Sequence, residues 1–289
     1  MTAIVTQAAA TEAAEVGGKA AALARLSQAG FAPPAFFVIR AAALERSGDG
    51  AAPVEGLAQA LAGLGDGPFA VRSSARSEDG AEHSHAGQFD TLLNVPAAEV
   101  GRAARQVWRS GFSGRVATYR ALTSGAAAEG PAVIVQRMIA ARAAGVAFSA
   151  DPVTGRRDIA VVSAIAGLGE RLVSGEADGE DWSVDALGKA ICAGAPAVLT
   201  AREAAEIAAL ARRAEAVFGT AQDVEWALDD AGLHILQSRP VTTALLPVPN
   251  PDDSLTIFDN SNIGESYPCL VSPLTYSFAV HVYYRVYRA

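Results

Sequence analysis

The sequence predicts a mixed α/β protein, and three features predict it. Short apolar runs of strand length, bounded by turn residues, recur along the chain; segments with helical spacing stand between them; residues 223–240 read as a β-hairpin. At 289 residues and 51% hydrophobic content the chain is long and apolar enough for one large or two modest domains with a sizeable core.

The elements follow in order. "GKAAALARLSQA" (18–29) places Leu23 and Leu26 on one helical face, after Gly17 and before Gly30, Pro33 and Pro34. "FFVI" (36–39) is a buried strand, and residues 40–67 are Ala/Gly-rich with a helical patch near 55–64. Phe69, Ala70 and Val71 form a strand that ends at Arg72, ahead of the polar "SSARSEDG". "GQFDTLLNV" (87–95) is strand-like, and 97–122 has helical spacing through Val100, Val107 and Trp108. Residues 132–139, 143–151 and 158–165 are three further strands, and a glycine-rich stretch follows. "REAAEIAALARRAEAVFG" (202–219) is a helix closed by Gly219. "DVEWAL", a "DDAG" turn and "LHILQSRP" complete the hairpin. Composition then shifts: residues 244–253 are proline-rich, and Ser272–Pro273 begin a helix apolar nearly all round, which implies a domain of residues 1–243 and a connector of 244–289 that continues into something larger.

Charge and cysteine content exclude several classes. The net charge of -8, with acids and bases intermixed, argues against a nucleic-acid surface. Cys192 and Cys269 form no metal-spaced set, which fits a reduced, intracellular protein. No signal or transit segment is evident, and the longest uncharged run, 266–284, is broken by prolines and hydroxyls, so a cytoplasmic protein without a membrane span is expected.

Chemistry concentrates at a few positions. Arg72 is delivered at a strand's carboxyl end, where ligands collect in mixed α/β proteins, although a solvated exit arginine fits that stretch equally well. In the hairpin, a five-residue loop, 229–233, would set Glu225 opposite Gln237 and Asp223 opposite Arg239. One face would then hold hard oxygen donors suited to Mg²⁺ and a guanidinium suited to phosphate. A four-residue loop breaks that parity, and a salt-bridged surface hairpin is the competing reading. Lys19, in a first helical turn after two glycines, could serve an anion or simply be solvated; the P-loop pattern is absent. His83 and His85 lack a third metal ligand and read as surface histidines, as His234 and His281 read as hairpin and helix residues.

The motifs "VGGKAAALARLSQAGFAPPAFFVI", "VRSSARSEDG", "AGQFDTLLNV", "VIVQRMI", "AGVAFSADPVTG", "GLGERLVSGE" and "QDVEWAL…LHILQSRPVT" occur in this sequence and order. Together they resemble the nucleotide-binding domain of the phosphoenolpyruvate synthase and pyruvate phosphate dikinase family, over about residues 15–242. The resemblance implies an ATP-grasp fold of two lobes with ATP in the cleft between them. It implies that Lys19 and Arg72 contact the polyphosphate, that Gly87 and Thr91 line a phosphate-covering loop, and that Gln136 lies near adenine. It implies further that Glu225 and Gln237 hold Mg²⁺ and that Arg239 stabilises the transferring phosphoryl group.

The activity implied is ATP-dependent phosphorylation of a histidine on a separate swivelling domain, with AMP as product and a pyruvate/phosphoenolpyruvate domain as a further partner. The related rifampicin-type antibiotic phosphotransferase is the alternative, and a non-catalytic nucleotide-binding module is another. Three departures stand out. His85 replaces an aromatic before "AGQ", the spacer between Arg40 and Arg72 is short, and no histidine here has the Thr-Gly-Gly acceptor setting. The chain alone is therefore expected to be catalytically incomplete.

Overall fold

The structure is a computed structural model and describes residues 2–47, 53–75, 91–112, 130–173 and 177–241. Chain contacts separate Met1–Leu246 from Pro247–Ala289. The connector and the terminal helix expected beyond residue 243 lie outside the described residues, as do Cys269 and His281.

Two antiparallel sheets organise the first unit. One has five strands, in the order β1 (Ile4–Thr6), β2 (Phe36–Ile39), β5 (Ala132–Arg137), β3 (Phe69–Ser74), β4 (Thr91–Val95). The other has six, in the order β11 (Gly232–Pro240), β10 (Gln222–Asp229), β6 (Ala143–Phe148), β7 (Ala160–Ala166), β8 (Glu180–Val184), β9 (Ala190–Cys192). Every ladder between them is antiparallel, which puts the protein on the α+β side of the mixed class.

Helices cover both faces of the five-stranded sheet because its strands alternate two apolar sets. Val71, Val133 and Val135 pack with Leu44 of α3 (Ala41–Ser47), with α4 (Leu57–Leu64) and with Val100, Ala104 and Val107 of α5 (Val100–Ser110). On the opposite face, Val38, Ala132 and Ile134 pack with Val16 of α1 (Ala13–Val16) and with Ala20, Leu23 and Ala24 of α2 (Gly18–Gln28).

After the short α6 (Glu170–Val173) and the β8–β9 pair in chain order comes α7 (Ala201–Phe218), under which the six-stranded sheet buries one face. That helix starts at a capping box, in which the Thr200 hydroxyl accepts from the Glu203 amide and the Glu203 carboxylate accepts from the Thr200 amide. Its buried Ala204, Ile207, Ala208 and Ala211 meet Val162, Trp182, Val224, Trp226 and Ile235.

The two Leu residues placed on one face of α2 are both buried, but in different cores. Leu23 belongs with the five-stranded sheet, whereas Leu26, with Phe31 just beyond the helix, belongs to the core of the six-stranded sheet. The Arg25 guanidinium also donates to the Val217 carbonyl at 2.7 Å and lies over the Phe218 ring. One helix thus packs on both sheets.

Two expectations change. The strand through Arg72 does not stop there but runs on through Ser73 and Ser74, both buried, because Ser74 anchors α2. The hairpin turn is not five residues long: Asp229 pairs with Gly232, leaving two residues in the turn. Of the 97–122 helical stretch, Ala97–Glu99 form a 3-10 turn and Val100–Ser110 an α-helix, and residues 113–122 lie outside the described residues. None of the described helices is long and apolar enough to cross a membrane.

Candidate functional site

The site begins with backbone register. Arg72 lies in β3 between Ile134 of β5 and Thr91 of β4, so pleating sends its side chain to the face that carries α2. Ser74, two residues on, shares that face, and its hydroxyl accepts from the Ala20 amide in the first turn of α2 at 3.1 Å. The Gly18 amide donates to the Ala75 carbonyl at 3.1 Å. These two bonds fix the start of α2, and with it Lys19, beside the end of β3. Strand alternation from Arg72 was the signal that could have found Ser74.

The hairpin supplies the opposite wall. Asp223 pairs with Arg239 and Glu225 with Gln237, the opposition expected from the sequence. The route to it differs. A two-residue turn alone would put Glu225 opposite Leu236; instead the register shifts between Glu225 and Trp226, Trp226 pairs with Ile235, and Leu236 is left over. This β-bulge restores the parity that the short turn removes. On the other side of β10, Glu225 stands beside Val146 of β6.

Arg72 then joins the two sheets. Its Nη2 donates to Glu225 Oε2 at 2.7 Å and to Gln237 Oε1 at 2.8 Å, and its Nη1 donates to the Leu236 carbonyl at 3.4 Å. The bulged residue thus offers its carbonyl to the same guanidinium. Arg72 is 13% exposed and Glu225 24%, so the pair is shielded from screening by salt. Arg239 is held separately: its Nε and Nη2 both donate to Asp223 Oδ2, at 2.8 and 2.7 Å.

The two hairpin carboxylates are driven apart in acidity. Burial pulls Glu225 upward, but the charge and hydrogen bond of Arg72 outweigh it, with Lys19 and Arg239 adding, and the carboxyl ends below the ordinary glutamate range. For Asp223 burial dominates; Arg239 opposes it, the charge of Glu225 reinforces it, and the carboxyl is raised. Glu225 is therefore held firmly as an anionic oxygen donor.

The remaining expected residues divide. Thr91 starts β4 directly across from Arg72 and is exposed. Gln136 lies on the Arg72 face of the five-stranded sheet, paired with Ala70 and Phe36, and is 2% exposed. Its Nε2 donates to the Pro34 carbonyl at 3.3 Å, which ties it to the loop entering β2. Gly87 lies outside the described residues, as do His83 and His85. His234 binds Asp229 at 3.0 Å near the hairpin turn, away from this cluster in sequence and register. Asp223 earned no place among the expected ligands, yet it orients Arg239.

No cluster of three or more His, Cys, Asp or Glu suited to a metal occurs among the described residues. Glu225 Oε2 and Gln237 Oε1 nevertheless converge within 2.8 Å of one cationic atom, Arg72 Nη2. A pair of hard oxygens, one of them firmly anionic, matches Mg²⁺, which takes one or two protein ligands and completes its shell with water and phosphate. The donor set fits.

The chain resembles known proteins. The pyruvate phosphate dikinase, AMP/ATP-binding domain family matches residues 51–195 and 192–246. The chain is 44% identical over 214 residues to a rifampicin phosphotransferase of Streptomyces sp, covering 65% of this chain and 25% of that protein. It is 33% identical over 327 aligned positions to a prodigiosin synthesizing transferase of Serratia marcescens, covering 91% of this chain and 37% of that protein. To a probable phosphoenolpyruvate synthase of Methanothermobacter thermautotrophicus it is 37% identical over 209 residues, covering 63% and 30%. The chain thus spans between a quarter and somewhat over a third of the length of these relatives. Among solved structures, D-alanine–D-alanine ligase of Bacillus anthracis complexed with ATP superposes loosely, with a TM-score of 0.39, 9% identity, and 76% of this chain and 52% of that one covered. The matched segments contain Arg72, Thr91, Gln136 and the whole hairpin, and on that footing the chain belongs to the pyruvate phosphate dikinase AMP/ATP-binding domain family, a family of phosphotransferases.

Proposed function

We propose that this chain is the ATP-binding, phosphoryl-donating part of a dikinase-type phosphotransferase, working in an ATP-grasp arrangement with the nucleotide between its two sheets. The observation that carries the reading is the Arg72–Glu225–Gln237 cluster, which brings a guanidinium from one sheet onto two oxygen donors from the other. Mg²⁺ on Glu225 and Gln237 would neutralise phosphate charge. Lys19 and Arg72 bind the polyphosphate oxygens, with Thr91 and Gly87 as further residues of the phosphate site. Gln136 borders the adenine. Arg239, aimed by Asp223, faces the transferring phosphoryl group and stabilises the charge that spreads over its oxygens. Positioning and electrostatics supply this catalysis, and no nucleophile from this chain takes part.

The pyrophosphoryl group passes to a histidine on a separate swivelling domain as AMP leaves, and water then cleaves its terminal phosphate, leaving a phosphohistidine and inorganic phosphate. A phosphoenolpyruvate synthase-like enzyme acting on pyruvate in the cytoplasm is one form of the complete protein. The higher identity to a rifampicin phosphotransferase than to a phosphoenolpyruvate synthase favours an antibiotic acceptor as the second form.

Calorimetry with ATP, with and without Mg²⁺, tests the nucleotide site. Binding is expected to be Mg²⁺-dependent, and no heat at millimolar nucleotide with a folded chain refutes the reading. Glu225→Ala should abolish transfer while reducing ATP affinity less. The chain alone should form negligible AMP. With the complete protein and β-³²P-labelled ATP, acid-labile phosphoprotein should form, and chase with pyruvate or rifampicin identifies the acceptor.

A further inference from the structure

The Glu225 and Gln237 oxygens meet at one point, and that point is taken by Arg72 Nη2, at 2.7 and 2.8 Å. Mg²⁺ draws its oxygen ligands in to about 2.0–2.1 Å. A metal and the guanidinium cannot share this position. We propose that Arg72 competes with Mg²⁺ for Glu225 and Gln237 as a built-in cation, and surrenders them only when a polyphosphate offers its guanidinium new acceptors; this deepens the metal-and-nucleotide reading above and rests on it.

Three features of Arg72 support the exchange. First, removing it from Glu225 without a replacement acceptor would strand a guanidinium that is only 13% exposed, and breaking one side of such a pair is costly. A bare divalent ion brings no acceptor for it. Second, Arg72 is only partly satisfied where it sits. Its Nε is buried with no hydrogen-bond partner among the described residues, and its Nη1 contact to Leu236 is long at 3.4 Å. Two of the three guanidinium nitrogens thus have unused or weakly used donors, which a phosphate can take in the bidentate manner arginine favours. Third, the charges of Lys19 and Arg239 also act on Glu225, so the surroundings oppose a bare cation and favour one that arrives with a polyanion. Metal and nucleotide therefore enter together rather than metal first. The hairpin bulge takes part, because it sets both Gln237 and the Leu236 carbonyl against the same guanidinium.

The test uses the full chain and Mn²⁺ as a paramagnetic probe of free and bound metal. Without nucleotide, the wild type should bind Mn²⁺ about tenfold or more weakly than Arg72→Met, the lower end of what a neighbouring charge does to proton affinity. Glu225→Gln in the Arg72→Met background should remove the gained site. Equal Mn²⁺ affinity in wild type and Arg72→Met overturns the proposal. If Arg72→Met does not fold by circular dichroism, the wild type carries the test. In an ¹⁵N-arginine-labelled sample, with the Arg72 resonance assigned by Arg72→Lys, Mg²⁺-ATP should shift the Arg72 Nε–H signal while Mg²⁺ alone leaves it in place, and a signal unmoved at saturating Mg²⁺-ATP overturns the exchange. The two readings fail separately. If neither protein binds ATP the nucleotide reading falls, while the Mn²⁺ comparison still decides the competition.

Discussion

Gly17→Ala should be among the most damaging single-methyl additions in this protein, and its cost can be worked from two separate terms. Gly17 has φ 81° and ψ 165°, a conformation essentially restricted to glycine, so any side chain there carries about 1–3 kcal/mol of backbone strain. A Cβ at this position would also lie 2.0 Å from the Ser74 carbonyl oxygen and 2.3 Å from the Ser74 hydroxyl. Relieving that overlap means moving α2 off β3, for about another 1–3 kcal/mol. Gly30, at the other end of the same helix, separates the terms: its φ is 84°, but an added Cβ meets nothing within 4 Å. Gly30→Ala should cost only the strain, about 1–2 kcal/mol. Urea unfolding of both variants measures the difference. Gly17→Ala should be the more destabilised by at least about 1 kcal/mol, a Tm gap of about 2–4 °C or more in a unit of this size. It should also lose ATP affinity, because Ser74 and Lys19 shift together. Equal destabilisation by the two variants would refute the close-approach argument.

Leu26→Ala should cost about 2–5 kcal/mol, since Leu26 is fully buried in the six-stranded sheet's core, and thermal unfolding measures it. Glu180→Gln should cost about 1–3 kcal/mol by denaturant titration, because one carboxylate accepts from the amides of Ala197, Val198 and Leu199 and from Trp182 Nε1, which an amide group cannot match. Burial raises the Glu180 pKa, but these hydrogen bonds outweigh it and the carboxyl lies below its ordinary value. Its contribution should be complete above about pH 4.3 and vanish as pH falls through the lower folded value, so the gap between wild type and Glu180→Gln should close in acid. Asp223→Asn releases Arg239 from its charged partner. In the complete protein kcat should fall on the order of a hundredfold with a smaller change in KM for ATP, and an unaltered kcat would remove Asp223 from the positioning of Arg239.

The hairpin shows where sequence reasoning succeeds and where it stops. Alternation alone puts Asp223 and Glu225 on one face of their strand and Gln237 and Arg239 on one face of theirs, and the ladder pairs Asp223 with Arg239 and Glu225 with Gln237. The bulge at Leu236 has no local signature, since Leu236 reads as an ordinary strand residue. The turn length was misjudged and the face was still right, because one extra strand residue offsets the shorter turn. The strand that carries Arg72 was legible from the apolar run before it, but its continuation into Ser73 and Ser74 was not. Hydroxyls after an arginine look like a loop until α2 is there to donate an amide to Ser74. β8 and β9 were missed for a related reason. Only Trp182 and Val184 mark the buried face of β8, and the strand owes its place to the ladder with β7 and to the amides gathered by Glu180. α3, short and alanine-rich, has too few large apolar residues to display a helical period.

Because α2 gives Leu23 to one core and Leu26 to the other, the two sheets are not interchangeable modules. A fragment beginning near Met138 would contain every strand of the six-stranded sheet and still lack Leu26 and Phe31, leaving a hole in its hydrophobic centre. Swapping one half between relatives therefore carries a hidden requirement: residues 18–31 must travel with, or be matched to, a sheet encoded more than a hundred positions later. A chimera joined at the strand boundary alone should express as two mismatched halves, whereas one that also exchanges α2 should restore a single cooperative unit.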